Sequence, residues 1–239
     1  MLTRTQLGGV CVLALDRPTV GNALDPALVE ALLDVLPEVA ADTATHTLFL
    51  HGNGRHFCTG FDLSRLAEES DGDLLQRFVR VEELLACLWH LPLRTVVWAS
   101  GRTLGAGADL LTCADLRIAT PTTQIAFPGV RFGLALGTRR LAARIGAGRA
   151  LTGLTEGRLW NAAEALTEGL LDAVTETPWD RWVTEQLPQG VVDRASYAHL
   201  KSATRPDHRD ADLALLVRSA SRPGLHARLR AYRESLART

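Results

Sequence analysis

The chain has 239 residues, of which 46% are hydrophobic and 22% charged, with a formal net charge of −1; this excludes a mini-protein that needs staples, a disordered tail and a fibre. Only Lys201 among its 26 basic residues is lysine, and without a basic excess or stripe no nucleic-acid partner is expected. No apolar run reaches the roughly 18 residues that cross a bilayer and the first nine residues carry no signal-peptide pattern, so no membrane partner and a cytoplasmic location are expected.

In chain order, residues 2–7 and 10–16 read as a β-hairpin, because Gly8-Gly9 supplies a turn that tolerates positive φ. A helix follows with Pro26 in its first turn and Leu28, Leu32, Leu33 and Leu36 at helical spacing. Next come a strand at 47–51, a loop over 52–60 and the clearest amphipathic helix, 73–91. A buried strand at 95–99 runs into a glycine-rich turn at 101–107 and an apolar segment ending near Cys113. Strands are expected at 116–119 and 124–127, and from Gly137 the pattern is helical, with only 170–174 extended. Strands interleaved with helices and then a helical tail predict an α/β core over 1–178 and a helical region over 179–239.

The cysteines Cys11, Cys58, Cys87 and Cys113 form no C-x-x-C pair and are expected as buried free thiols, with no metal site. A phosphate-binding Gly-Lys-Ser/Thr loop is absent, Leu110 breaks a dinucleotide fingerprint at Gly105-Ala106-Gly107, and Ser100 lacks a nucleophile elbow. His46, His51 and His56 read as a solvated strand end, and Trp89, Trp98 and Trp160 as core. Arg131, Arg139 and Arg140 read as surface ion-pairing. Two strand-ending turns remain, one around Gly60 and one over 101–109 that opens a helix. Backbone N–H groups freed at such turns are what an oxyanion site requires, although a glycine turn is often only a turn.

Several landmarks stand in order along nearly the whole chain. They are Asp16-Arg17-Pro18 with Asn22-Ala23-Leu24, the run from Gly54 through Cys58-Thr59-Gly60-Phe61-Asp62-Leu63, and Gly101 to Asp109 continuing to Cys113-Ala114-Asp115. Further on come Gly133, Gly137-Thr138-Arg139-Arg140-Leu141, Ala162 to Ala165, Gly169 to Val174, and Arg222-Pro223-Gly224-Leu225. With these the sequence resembles the enoyl-CoA hydratase/isomerase (crotonase) superfamily. The resemblance implies a ββα spiral core with a C-terminal helical trimerisation region, a homotrimer or dimer of trimers, and an acyl-CoA thioester substrate. Coenzyme A is then part of the substrate and no separate cofactor is expected.

Carried over by position, the resemblance makes the Phe61 and Ala106 amides the oxyanion donors for an enolate and Asp109 the acid/base residue. It places Val20, Asn22, Ala23, Leu24, Thr59, Asp62, Leu63 and Phe127 at the CoA and substrate. Asp109 reads equally as a partner for its helix dipole. The family's second glutamate position holds Gly129, and the loop from Gly133 to Gly137 is about three residues shorter than the family pattern. Thr19 stands where a phosphate-contacting lysine is common, which leaves Arg17 and Arg55 as the nearest cations. The expected activity is hydration or double-bond isomerisation. The alternatives are hydrolysis or decarboxylation on the same oxyanion hole, or an acyl-CoA-binding protein without turnover.

Overall fold

The computed structural model describes residues 1–187 and 192–236. The expected helical region 179–239 therefore includes seven residues, 188–191 and 237–239, that lie outside the described ones.

β1 (Leu2–Leu7) and β2 (Val10–Leu15) form the expected hairpin, with Gly8 at φ 57°. Gly9 has a second reason to be glycine: a Cβ there would stand 2.3 Å from the His46 ring. α1 (Pro26–Ala41) is capped by the Asp25 carboxylate, which accepts from the Leu28 amide at 2.8 Å. β3 (Thr47–Gly52) leads to α2 (Asp71–His90), which begins two residues earlier than its apolar stripe suggests because Ser70 and Asp73 form a capping box. β4 (Arg94–Ala99), β5 (Arg102–Leu104), α3 (Ala106–Cys113), β6 (Leu116–Ala119) and β7 (Gln124–Ala126) complete the first half. A 3-10 turn, Pro128–Phe132, precedes α4 (Thr138–Ile145), α5 (Ala147–Thr155), β8 (Leu159–Asn161), α6 (Ala162–Thr167) and β9 (Ala173–Val174). The tail holds α7 (Trp179–Glu185), α8 (Arg194–Thr204), α9 (Arg209–Ala220) and α10 (Leu225–Leu236).

The larger sheet runs β1-β2-β3-β4-β6-β9, parallel beyond the hairpin, and a small sheet runs β5-β7-β8. One core packs β2, β3 and β4 against α1, α2 and α3. A second closes α2 against α9, α10 and the 3-10 turn, and a third covers the other sheet face with α7.

The structure corrects several expectations. The glycine-rich turn contains β5, and the helical second half contains β8; each is three residues long and exists through pairing with β7. The expected extended segment 170–174 shrinks to β9. His51 is buried and stacks on Trp179 with ring centroids 4.1 Å apart, so it is no solvated strand end. Trp89 is half-buried, flanked by the Arg144 and Arg205 guanidinium groups, and Cys87 is only partly buried. Arg140 is buried in an ion pair with Glu82, whereas Arg139 makes the expected surface pair with Asp212. Among the described residues no helix is long and apolar enough to cross a membrane.

Candidate active site

Two turns meet at one place. In the first, Gly60 has φ 97°, and a Cβ on it would stand 2.7 Å from the Leu104 carbonyl oxygen, so only glycine permits the approach. Its carbonyl accepts from the Leu24 amide at 2.8 Å, and Asp62 donates to the Leu24 carbonyl at 3.1 Å. Because a trans peptide points its C=O and N–H in opposite directions, anchoring the Gly60 carbonyl on Leu24 turns the Phe61 N–H away from that strand bridge. The Phe61 ring stacks on Phe78 at 4.2 Å, with the Arg77 guanidinium 4.0 Å from its centroid. Arg77 also donates to the Asp62 carbonyl at 2.8 Å, so α2 holds this turn by side chain and backbone together.

In the second turn, Gly105 adopts φ 52° and ψ −126° and donates to the Ala126 carbonyl at 2.8 Å. α3 starts at the next residue, and its first amides have no carbonyl one turn earlier to bond. A Cβ on Gly107 would stand 2.4 Å from the Cys58 carbonyl oxygen, which explains how α3 lies directly against the loop leading to Gly60. Among the described residues no backbone acceptor takes the Phe61 or the Ala106 N–H. Both residues border one cavity of about 790 Å³.

The cavity wall is mainly apolar, built by Phe78, Phe127, Phe132 and Leu134 and, from α10, by Leu229 and Tyr232. Asp109 is set into it from the first turn of α3, only 3% exposed. Its Oδ1 has no hydrogen-bond partner among the described residues. Burial holds its carboxyl well above the usual carboxylate range, with the nearby Arg140 charge pulling it down and Glu82 pushing it up. Opposite stands Gly137, at φ 65°, where a Cβ would fall 2.0 Å from Asp109 Oδ1. The carboxyl thus occupies the space of a missing side chain.

Of the other expected contacts, Val20, Ala23, Thr59, Asp62, Leu63 and Phe127 line the cavity. Asn22 and Leu24 do not. Asn22, in the left-handed region at φ 56°, donates to the Asn53 and His56 carbonyls and accepts from the Arg17 amide, so it clips the loop together behind the cavity. Leu24 bridges to Phe61 and is buried in the core. The Asp62 carboxylate points to Arg17 at 3.0 Å and accepts from the Ser64 amide at 2.9 Å; although burial opposes its charge, these bonds hold it below the usual range. Arg17 is itself spent on Asp25, Asp62 and the Ala23 carbonyl. Arg55 remains exposed. His56 accepts from the Arg102 amide at 3.0 Å and does not line the cavity. Gly129 does line it, offers no acid, and has Leu134 oxygen 3.4 Å from where a Cβ would stand.

Sequence reasoning missed the Glu82–Arg140 pair and the cavity wall built by α10. For Glu82 a signal existed: it lies four residues after Phe78 on the apolar stripe of α2, where a charged residue needs a buried partner.

Comparison with known proteins places the chain in a family. The enoyl-CoA hydratase/isomerase family model matches residues 5–215, and the chain belongs to that family. It is 31% identical to an enoyl-CoA isomerase/hydratase of Mycosarcoma maydis over 205 residues, which are 81% of this chain and 75% of the relative. A trans-2-decenoyl-[acyl-carrier-protein] isomerase of Streptococcus mutans is 30% identical over 245 residues, covering 95% and 92%. Among solved structures, a Bordetella parapertussis protein of the same family description superposes with TM-score 0.89 at 37% identity, covering 97% of both chains. An enoyl-CoA hydratase of Bacillus halodurans shares the fold, with TM-score 0.80 at 20% identity over 96% of this chain and 99% of that one.

Proposed function

We propose that the protein is an acyl-CoA thioester enzyme that shifts a double bond through an enolate, with the Phe61 and Ala106 amides on the thioester oxygen and Asp109 as its single acid/base. The observation that carries this reading is the Asp109 carboxyl, which borders an apolar cavity with no direct partner at Oδ1 among the described residues and beside two unmatched amides. In its ionised form Asp109 takes a proton from C2 of a 3-enoyl thioester, and the electron pair of that C–H bond moves onto the thioester oxygen. Two preorganised N–H groups stabilise the charge where it develops. The protonated Asp109 then delivers the same proton to C4 as the double bond settles between C2 and C3, so no proton, water or electron is gained or lost.

Hydration asks for a second acid/base group on the cavity wall, and the position that supplies it in the family's two-glutamate pattern is Gly129. Gly129 also favours a second reading, an acyl-CoA-binding member without turnover. A panel of 2-enoyl and 3-enoyl CoA thioesters, followed for product and by calorimetry with wild type and Asp109→Asn, separates these. Isomerised product that disappears in Asp109→Asn supports the first reading. A hydrated, hydrolysed or decarboxylated product replaces the double-bond shift, binding without product leaves the second reading, and failure to bind overturns both. A homotrimer or dimer of trimers in the cytoplasm, assembled through the C-terminal helical region, belongs to the same proposal, and sedimentation tests it.

A further inference from the structure

Glu82 on α2 and Arg140 on α4 form a buried bidentate pair, with Nη1–Oε2 at 3.0 Å and Nη2–Oε1 at 2.5 Å. Neither residue lines the cavity. Arg140 is tied to Asp109 through Gly137: the Arg140 amide donates to the Gly137 carbonyl at 3.0 Å, and Gly137 is the residue against which the Asp109 carboxyl rests. Two complementary atoms in this cluster are left unmatched among the described residues, Asp109 Oδ1 and Arg140 Nε. A buried carboxylate and a buried guanidinium with free valences ordinarily turn to one another. Here no bond joins them, and Glu82 holds both Nη groups of the guanidinium.

The other charges facing the cluster are few. Cys113, one turn along α3, is held as a neutral thiol, its burial pushing it up to about 12. Arg144 of α4 is occupied with the Thr112 and Ala114 carbonyls, and Arg205, just past the end of α8, with Asp115 and the Trp89 and Cys113 carbonyls. Asp212 of α9 pairs with Arg139 and reaches Glu82 and Arg140 only through its field.

We infer that Glu82 and Arg140 are a positioning pair for Asp109: by engaging the guanidinium, Glu82 denies Asp109 a counterion and leaves its carboxyl free to exchange a proton with substrate. This rests on the reading of Asp109 as the acid/base residue. It requires the two halves of the pair to act with opposite sign. Without the Glu82 charge, Arg140 becomes Asp109's partner and stabilises its anion; without the Arg140 charge, Asp109 loses the cation that draws it down, beside a Glu82 that burial already pushes up.

The test is an infrared difference titration of the Asp109 carboxyl, each protein measured against the same background carrying Asp109→Asn, together with the acid limb of kcat/KM. In Glu82→Gln the Asp109 midpoint falls by about 1–3 pH units and kcat drops while KM holds. In Arg140→Gln the midpoint rises. The double variant, a neutral amide pair, returns to within about one unit of wild type, because the two charges were removed together. Should Arg140→Gln fail to fold, the contrast between Glu82→Gln and the double variant still decides. Midpoints that move in the same direction, or stay fixed while thermal stability falls, overturn the inference and leave the pair a packing feature. A wild type that turns over no thioester but titrates as described supports the positioning pair and overturns the proposed reaction.

Discussion

Asp109, in the first turn of α3, and Asp115, two residues beyond its end, are both largely buried, and the fold treats them oppositely. Asp115 meets Lys201 Nζ at 2.8 Å, the Arg205 guanidinium, and the Thr95 amide and hydroxyl at 2.8 and 2.9 Å. Burial works against its charge, but the two cations overcome that and hold it below the usual carboxylate range. Asp109 receives no direct partner at Oδ1, and burial raises it. One carboxylate is kept ionised to fasten α8 onto β4; in the other, burial favours the protonated form. The lesson is that depth alone does not assign a role to a buried acid, whereas the presence or absence of a dedicated cation does.

Four effects of three substitutions press on this contrast, in falling order of expected size. Asp109→Asn lowers kcat by about 10²–10⁴-fold, the range for removal of a general acid/base group, in a steady-state assay with an enoyl thioester. Asp115→Ala strands Lys201 and Arg205 and costs about 3–5 kcal/mol in urea unfolding. If instead Asp115→Ala is silent in stability while Asp109→Asn unfolds the protein, the assignment of roles is reversed. Gly137→Ala puts a methyl where the Asp109 carboxyl lies, at a φ that disfavours alanine, and reduces kcat by about 10²-fold, as expected of a displacement near 1 Å.

The smallest effect is the most diagnostic. A carboxyl whose folded pKa is raised binds more protons folded than unfolded, so its contribution to stability falls as pH rises from about 4 to the folded pKa and then levels. Asp109→Asn therefore stabilises the protein above that folded pKa, by about 1.4 kcal/mol for each unit of elevation, and the gain disappears below about pH 4. Thermal unfolding of wild type and variant across pH reads this directly. The opposite slope is expected at Asp115, whose native anion is favoured.

Much of the scaffold is legible in the chain. The hairpin, α1, α2, β3 and β4 follow from local periodicity and caps, and the structure finds each within a residue or two. β5, β8 and β9 are too short to carry a period, and they form because β7 and β6 are there to pair with them. At the site, Gly60, Gly105 and Gly107 mark where two backbones approach, but a backbone N–H leaves no letter of its own. Asp109 and Gly129 were read from their positions in a family pattern. That Asp109 has no counterion was not readable, since it depends on Glu82, 27 positions earlier, occupying Arg140, 31 positions later.

The single lysine of the chain is the one that Asp115 holds, 6% exposed, with its Nζ also donating to the Leu93 carbonyl. An amine-directed reagent thus meets no accessible lysine side chain while α8 is seated. Modification of Lys201 requires α8 to lift from β4, so its rate in the native state, referenced to that in denaturant, gives the free energy of that opening at one named atom. The arginine-rich composition makes the protein a reporter of its own local unfolding.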